Sequence, residues 1–209
     1  MWRWITIIAI LALCLVAGCA GAETTTVNVG YSGANGYSNH NATVLTGQEQ
    51  MPLEPGWYVV SNNINYSGTL TFKPGEVHII ICNACEMEIG TSSKPVSGKG
   101  IDFESGGAGS MYIYGQNGSG EKINIYSTDT GITAQNYTQY GATIKVDSDS
   151  SDGIYADTFN LCGGNLNINA GLDGVYVIPH SLRGESRPKS SNSVYIVPHG
   201  ERRRTRQNP

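Results

Sequence analysis

A short phrase, a glycine followed by an alternating strand, recurs at a nearly fixed interval in this 209-residue chain. TGITA stands at residues 130–134, DGIYA at 152–156 and DGVYV at 173–177, so the glycine returns after 22 residues and then after 21. Periods of about 20 to 50 residues are typical of stacked repeats, in which each unit buries its apolar side against its neighbours. The period therefore constrains the fold more than any other feature.

The copies keep their apolar residues in register when they are aligned on the glycine. Ile132, Ile154 and Val175 coincide, and apolar and polar residues alternate in IKV at 144–146 and in LNI at 166–168. Alternation with a period of two indicates half-buried strands. The composition, with 27 Gly, 12 Tyr and only 14% charged residues, also favours strands and turns over helices.

These patterns predict an all-β fold, specifically a single-stranded right-handed parallel β-helix, which is a pectate-lyase-like solenoid. It would have about five to six coils of about 21 to 22 residues each. Earlier strands are predicted near 57–60, 64–66, 69–72 and 77–82. The repeated glycine is predicted at each corner, at a backbone angle that residues with a Cβ resist.

The chain divides into four predicted segments. They are a lipoprotein signal peptide at 1–18, a flexible tether with an N-terminal capping strand at 19–55, the parallel β-helix at 56–179, and a basic, disordered tail at 180–209. The tether is rich in Thr, Asn, Gly and Ser, which is typical of flexible linkers. The tail lacks the periodicity of the repeats.

The N-terminal segment has the form of an export signal, with Arg3 ahead of an apolar run from Ile5 to Ala17. VAGC at 16–19 resembles the bacterial lipobox, which implies cleavage before Cys19 and lipidation of its thiol. The expected location is the bacterial cell surface, with the protein anchored in the membrane. Ordinary secretory cleavage near Ala20 or Ala22, which would give a secreted protein, is the alternative.

Charge is segregated along the chain. Residues 20–179 hold 5 Lys and 15 Asp or Glu, a net of −10, whereas residues 180–209 hold 7 Lys or Arg and 2 Glu, a net of +5. An acidic body argues against nucleic acid as a partner, because phosphate binding needs clustered basic residues. It suits neutral glycans, or anionic glycans held through a divalent metal.

Two stretches resemble a known family. TIKVDSDSSDGIYADTFNLCGGNLNINAGLDGVYV and GWYVVSNNINYSGTLTFKPGEVHIII are similar to bacterial surface proteins with carbohydrate-binding parallel β-helix domains, one branch of which binds polygalacturonate. The similarity covers roughly residues 56–178, counted by the repeats. It implies a plant cell-wall or microbial polysaccharide as partner.

Outward-facing side chains of stacked strands form ladders with a spacing of about 4.8 Å. Tyrosine rings can stack on sugar C–H faces, and amides and charged groups can bond to hydroxyls. The alternative is that these are ordinary solvent-facing strand residues. The candidate ligand-binding residues are Tyr126, Tyr155, Tyr176, Asn124, Asn167 and Lys145.

The densest carboxylate cluster comprises Asp147, Asp149, Asp152 and Asp157. Ca²⁺ takes six to eight oxygen ligands, which these aspartates and loop carbonyls could supply. Calcium is therefore the one cofactor that the sequence suggests, and a solvated acidic turn is the alternative.

Cys82 and Cys85 form a C-x-x-C motif without a thioredoxin-like setting or a second pair of zinc ligands. Either a short disulfide or a pair of buried thiols fits this spacing.

The sequence favours a non-catalytic polysaccharide-binding module for pectin-like glycans. Lyases and hydrolases on related folds use paired carboxylates with a nearby Arg or Lys, and the body has five Lys and no Arg. A structural or adhesin surface protein without glycan affinity is one alternative, and a lyase-like enzyme is another.

Overall fold

The computed structural model describes residues 25–104, 109–116 and 119–178, and the backbone of 194–198. The elements of this part of the chain are all strands. They are β1 (Thr26–Gly33), β2 (Gly36–Val44), β3 (Gly56–Val60), β4 (Ile64–Tyr66), β5 (Leu70–Phe72), β6 (Gly75–Ile81), β7 (Glu86–Ile89), β8 (Ile101–Phe103), β9 (Gly109–Tyr114), β10 (Lys122–Ser127), β11 (Ile132–Gln139), β12 (Thr143–Ser148), β13 (Ile154–Leu161), β14 (Asn165–Ala170), β15 (Val175–Val177) and β16 (Val194–Pro198).

The strands form two sheets. The larger has ten strands in the order β1-β2-β3-β6-β9-β11-β13-β15, with β5 and β8 paired beside this path. The smaller has six strands in the order β16-β14-β12-β10-β7-β4, all parallel. From β9 onward the chain alternates between the sheets, so each repeat contributes strands to both.

The predicted fold class, a single-stranded right-handed parallel β-helix, is wrong. The structure is nearly all β, but the larger sheet is mixed. Strands β1 and β2 form an antiparallel pair, from Thr26 opposite Thr43 to Gly33 opposite Gly36. On its other side, β2 pairs in parallel with β3. The prediction treated 19–55 as a tether with one capping strand because of its Thr, Asn and Gly content. Val27, Val29 and Tyr31 nevertheless alternate in it as in a strand.

The register predicted from the repeat is found in the strand pairs. Ile132 lies opposite Ile154, which lies opposite Val175 in the next strand, and Ile144 lies opposite Leu166. The early strands are also confirmed, at 56–60, 64–66, 70–72 and 75–81. Repeated apolar positions therefore identified strand partners correctly, although they did not reveal the antiparallel pair.

The corner glycines are required by space and not by backbone angle. Gly131 does not have a positive φ, but a Cβ there would lie 2.1 Å from Val146 Cγ1 and 2.6 Å from the Gly153 carbonyl oxygen. A Cβ on Gly153 would likewise lie 2.2 Å from Ile168 Cγ2 and 2.6 Å from the Gly174 carbonyl oxygen. The predicted reason for these glycines is thus corrected, because a neighbouring backbone and a core side chain leave no room for a Cβ.

The inward-facing side chains of both sheets form one apolar core. Strands β10, β12 and β14 alternate between buried apolar residues and more exposed polar ones. The core includes Met87, Ile123, Ile144 and Leu166, all fully buried. Burial of each such side chain contributes about 1.5 to 3 kcal/mol, so the polar residues between them are held facing outward.

Two predicted segments lie largely outside the described residues: the signal peptide at 1–18 and the tail at 180–209. Within the predicted disordered tail, the backbone of β16 is described as a strand that pairs in parallel with β14, with Leu166 opposite Val194.

Candidate functional site

The smaller sheet carries an outward-facing polar ladder. Glu88 of β7 lies opposite Asn124 of β10, which lies opposite Lys145 of β12, and Lys145 lies opposite Asn167 of β14. Parallel pairing in register sets the side chains about 4.8 Å apart. The structure thus brings three of the predicted ligand-binding residues, Asn124, Lys145 and Asn167, into one row. We call the outward side of β7, β10, β12 and β14 the polar face.

Tyr126 lies on the polar face one ladder away, beside Lys145. The Lys145 ammonium is 4.7 Å from the centre of the Tyr126 ring and 3.3 Å from its hydroxyl. The ammonium is also 3.8 Å from Asp147 Oδ2, and Asn169 donates to Asp147 Oδ1 at 2.9 Å. These contacts hold the lysine and the aspartate in a fixed network, but they also cover one face of the Tyr126 ring.

A groove of about 250 Å³ lies at the β4 edge of the polar face. It is lined by Asn63, Ile64, Asn65, Glu86 and Glu88. Glu86 accepts a hydrogen bond from the Asn124 amide, and its backbone N–H donates to Asn63 at 2.9 Å. Amides and carboxylates thus continue from the ladder into a concave edge suited to hydroxyl groups.

Tyr155 and Tyr176 lie on the larger sheet, away from the other four predicted ligand-binding residues. They are opposite each other on β13 and β15, with ring centres 5.4 Å apart and planes inclined by 12°. Each ring covers one face of the other, and Tyr176 is 40% exposed. The predicted binding set is therefore divided between two sheets.

Two of the four predicted calcium ligands have other partners. Asp147 bonds to Asn169, as described above, and Asp152 Oδ1 accepts from the Asp173 backbone N–H at 3.1 Å. Asp149 and Asp157 complete the predicted set. Within the described ranges, no group of three or more His, Cys, Asp or Glu side chains is placed to share a metal ion.

Cys82 and Cys85 are both free thiols in the structure, joined through a turn in which the Cys85 N–H donates to the Cys82 carbonyl at 3.0 Å. Ala84 within this turn has a φ of 58°. Burial raises the pKa of the Cys85 thiol, and burial together with the neighbouring Cys85 and Glu121 raises the pKa of Cys82. The thiols are thus poorly suited to act as nucleophiles.

An aromatic row on the outer side of the larger sheet was missed by the sequence analysis. It consists of His40, Trp57, His78 and Tyr112, whose successive ring centres are 4.1, 4.0 and 4.7 Å apart. Trp57 and His78 are 21 residues apart in the chain, which is the spacing of the repeat and the signal that would have revealed the row. Because the rings stack face to face, each inner ring has both faces covered.

His78 has a second polar contact in this row. Its Nδ1 lies 3.0 Å from the Tyr114 hydroxyl, and its Nε2 lies 3.9 Å from Glu76. Burial lowers the pKa of His78 below its usual range, against the opposing effect of Glu76 and with a smaller contribution from His40. The His78 imidazole is therefore neutral near neutral pH, packed between the Trp57 and Tyr112 rings.

Comparison with known protein families, known proteins and solved structures gave no match to this chain. The predicted lipidation site, Cys19, lies outside the described residues. Among the residues that the structure describes, none belongs to a helix of the length and apolar character needed to span a bilayer.

Proposed function

We propose that this protein is a non-catalytic, cell-surface polysaccharide-binding module for pectin-like glycans, anchored to the bacterial membrane through lipidated Cys19. The observation that carries the proposal is the in-register ladder of Glu88, Asn124, Lys145 and Asn167 on the polar face. It supports polysaccharide binding because it repeats hydrogen-bonding groups at the strand spacing of about 4.8 Å, close to the length of one sugar unit.

Lys145 is the group on the polar face that would hold a uronate polymer. Lys145 supplies a cation for a sugar carboxylate, while Asn124 and Asn167 on either side supply amides for hydroxyls. Glu86, Glu88 and Asp147 would repel the remaining carboxylates. Ca²⁺ shared between Asp147 and a polymer carboxylate would offset that repulsion, with the polymer and solvent supplying its other ligands.

Retention of the purified protein on insoluble polygalacturonate and on cellulose tests the proposal, with Ca²⁺ and with chelator. The face variant is Asn124→Ala/Lys145→Ala/Asn167→Ala. The matched control, Asn39→Ala/Asn62→Ala/Lys94→Ala, removes the same groups at exposed positions elsewhere. We expect the face variant alone to weaken retention about tenfold or more. Equal retention of both variants, or none by wild type, contradicts the proposal.

A structural or adhesive surface protein without glycan affinity is the second candidate. One observation favours it: the predicted sugar-stacking rings have neighbours on their faces, Lys145 over Tyr126 and Tyr155 against Tyr176. The stacking contribution available to a sugar is smaller than that of a bare ring. Absence of retention on every polymer, with an intact fold by circular dichroism, would favour this candidate.

A further inference from the structure

A polar groove of about 400 Å³ lies next to the polar face, at the corner between the two sheets. The corner is made by the three segments that lead from β9 into β10, from β11 into β12 and from β13 into β14. Its lining includes Glu121, Tyr140, Thr143 and Asn165. Thr143 and Asn165 lie opposite each other at the first positions of β12 and β14, so the groove opens onto one end of the polar face.

Glycines keep the wall of this groove free of side chains. Gly115, Gly141 and Gly164 line it, one from each of the three segments. A Cβ on Gly141 would lie 2.5 Å from the Gly115 nitrogen, and one on Gly164, which has a φ of 77°, would lie 2.1 Å from the Ala142 oxygen. The close approach of the three backbones excludes side chains here, and the result is a concave surface of bare peptide groups.

The groove has one charged group, which is acidic. Glu121 is 8% exposed, and its Oε1 accepts from the Gln116 backbone N–H at 3.3 Å. Among the described residues, its other lining residues include no Lys, Arg or His. A carboxylate in this setting attracts hydroxyl donors, because charge-assisted hydrogen bonds are the strong ones, and it repels a second carboxylate. The groove therefore selects for an uncharged, hydroxylated ligand.

Tyr140 supplies the apolar wall. One side of its ring packs against Tyr114, with ring centres 5.2 Å apart and planes inclined by 12°. The ring is partly exposed, and it also borders a second hollow of about 160 Å³ beneath the β1–β2 turn. An aromatic wall facing hydroxyl, amide and peptide groups matches the two kinds of surface on a sugar ring.

We propose that this groove binds a neutral sugar unit, at the end or a branch of the polysaccharide held on the polar face. The inference rests on the proposed function, because the groove and the ladder would bind one chain. It adds a division of specificity: Lys145 on the face takes the anionic units, whereas Glu121 in the groove excludes them and takes an uncharged one.

Titration of ¹⁵N-labelled protein with D-galactose, D-glucose and D-galacturonate, followed by amide NMR, tests this inference. We expect the neutral sugars to shift the amide signals of Gly115, Gly141 and Gly164, and to bind about tenfold or more tightly than galacturonate. Tyr140→Ala should weaken neutral-sugar binding by a similar factor. Tyr37→Ala, which changes an exposed tyrosine outside the groove, is the matched control and should have no effect.

Glu121→Gln separates the charge from the shape of the groove. It should bring galacturonate to within a few-fold of the neutral sugars, because the repulsion is removed while the side-chain size is kept. Tyr140→Phe keeps the ring and should keep binding, whereas Tyr140→Leu removes the ring but stays apolar, so it stands in if Tyr140→Ala fails to fold and should weaken binding. A preference for galacturonate at the Gly115, Gly141 and Gly164 signals of wild type, or loss of neutral-sugar binding in Tyr37→Ala, would overturn the inference.

Polymer retention, measured in parallel, separates this inference from the proposed function. Glycine shifts with neutral sugars but no retained polymer would support the groove while ending the polysaccharide proposal. Retained polymer without glycine shifts would overturn the groove alone. If neither glycine shifts nor polymer retention is observed, both the groove inference and the proposed function are overturned.

Discussion

The Trp57 indole and the His78 imidazole stack with ring centres 4.0 Å apart and planes inclined by only 5°. They lie opposite each other on the parallel strands β3 and β6. Tyr112 continues the stack from β9, and the Tyr114 hydroxyl bonds to the imidazole. A titratable ring is thus packed between two aromatic faces, which links the stability of the larger sheet to pH.

Stability is expected to rise with pH through the range in which His78 titrates. Burial lowers the pKa of His78 in the fold, so the unfolded chain, with an imidazole pKa of about 6.5, takes up the proton first. The free energy of unfolding should therefore fall as pH drops below about 6.5, until the folded imidazole also protonates. His78→Phe keeps a stacked ring and should flatten this dependence. Urea unfolding from about pH 7.5 to 5 measures it, and parallel curves for the two proteins would contradict the prediction.

Gly131→Ala should destabilise the fold by about 1 to 3 kcal/mol, because its Cβ would overlap Val146 and the Gly153 backbone. Gly68→Ala is the control, since a Cβ there meets nothing within 4 Å. The free energy of unfolding of Gly68→Ala should lie within about 1 kcal/mol of that of wild type. Urea unfolding of both variants distinguishes lack of space from a general cost of replacing glycine, and equal losses would refute the steric account.

Gln139 is fully buried and joins two repeats through its side chain. Its amide donates to the carbonyls of Ala142 and Asn165, each at 3.1 Å, and its carbonyl accepts from the Tyr137 hydroxyl at 3.0 Å. Gln139→Met should cost about 2 to 4 kcal/mol, because the buried Tyr137 hydroxyl loses its partner. Adding Tyr137→Phe should restore part of that loss. Thermal unfolding of the single and double variants measures the coupling between Gln139 and Tyr137. Stability losses that simply add in the double variant would exclude that coupling.

The three described cysteines should react with iodoacetamide in a definite order. Cys162 is exposed, whereas burial raises the pKa of Cys82 and Cys85. The thiolate is the reactive species, so Cys162 should be alkylated about tenfold faster at neutral pH. Peptide mapping by mass spectrometry over time checks the order. Alkylation in urea, where all three cysteines should react at a common faster rate, is the reference. Equal alkylation rates in the folded protein would contradict the expected order.

Strand pairing in the later repeats was predictable because their apolar residues recur in sequence. The alignment of Ile132 with Ile154, and of Ile144 with Leu166, gave the observed partners. The hairpin was not predictable in this way, since Val27 and Val29 occur once, in a segment whose Thr and Asn content resembles a linker. Period alone says which strands stack, but not how a non-repeating segment joins the sheet.

The site was predicted in part for a related reason. Alternation identifies outward positions, and it placed Asn124, Lys145 and Asn167 together correctly. It does not say to which sheet a strand belongs, so it could not show that Tyr155, which precedes Asn167 in the same repeat, lies on the other sheet. The glycine groove was beyond reach, because Glu121 and Tyr140 sit in connecting segments whose path depends on backbone packing.

The contact at each corner glycine would allow the repeated part of this protein to be lengthened. At Gly131 the Val146 side chain of β12 fills the space that a Cβ would take, and at Gly153 the Ile168 side chain of β14 does the same. A tandem duplication of one repeat, from one corner glycine to the next, would carry both the glycine and the side chain that packs against it. The inserted copy would therefore pack against its neighbours without compensating substitutions. Each duplication would add one more rung to the ladder on the smaller sheet, and so lengthen the surface available to a chain-like ligand by about 4.8 Å.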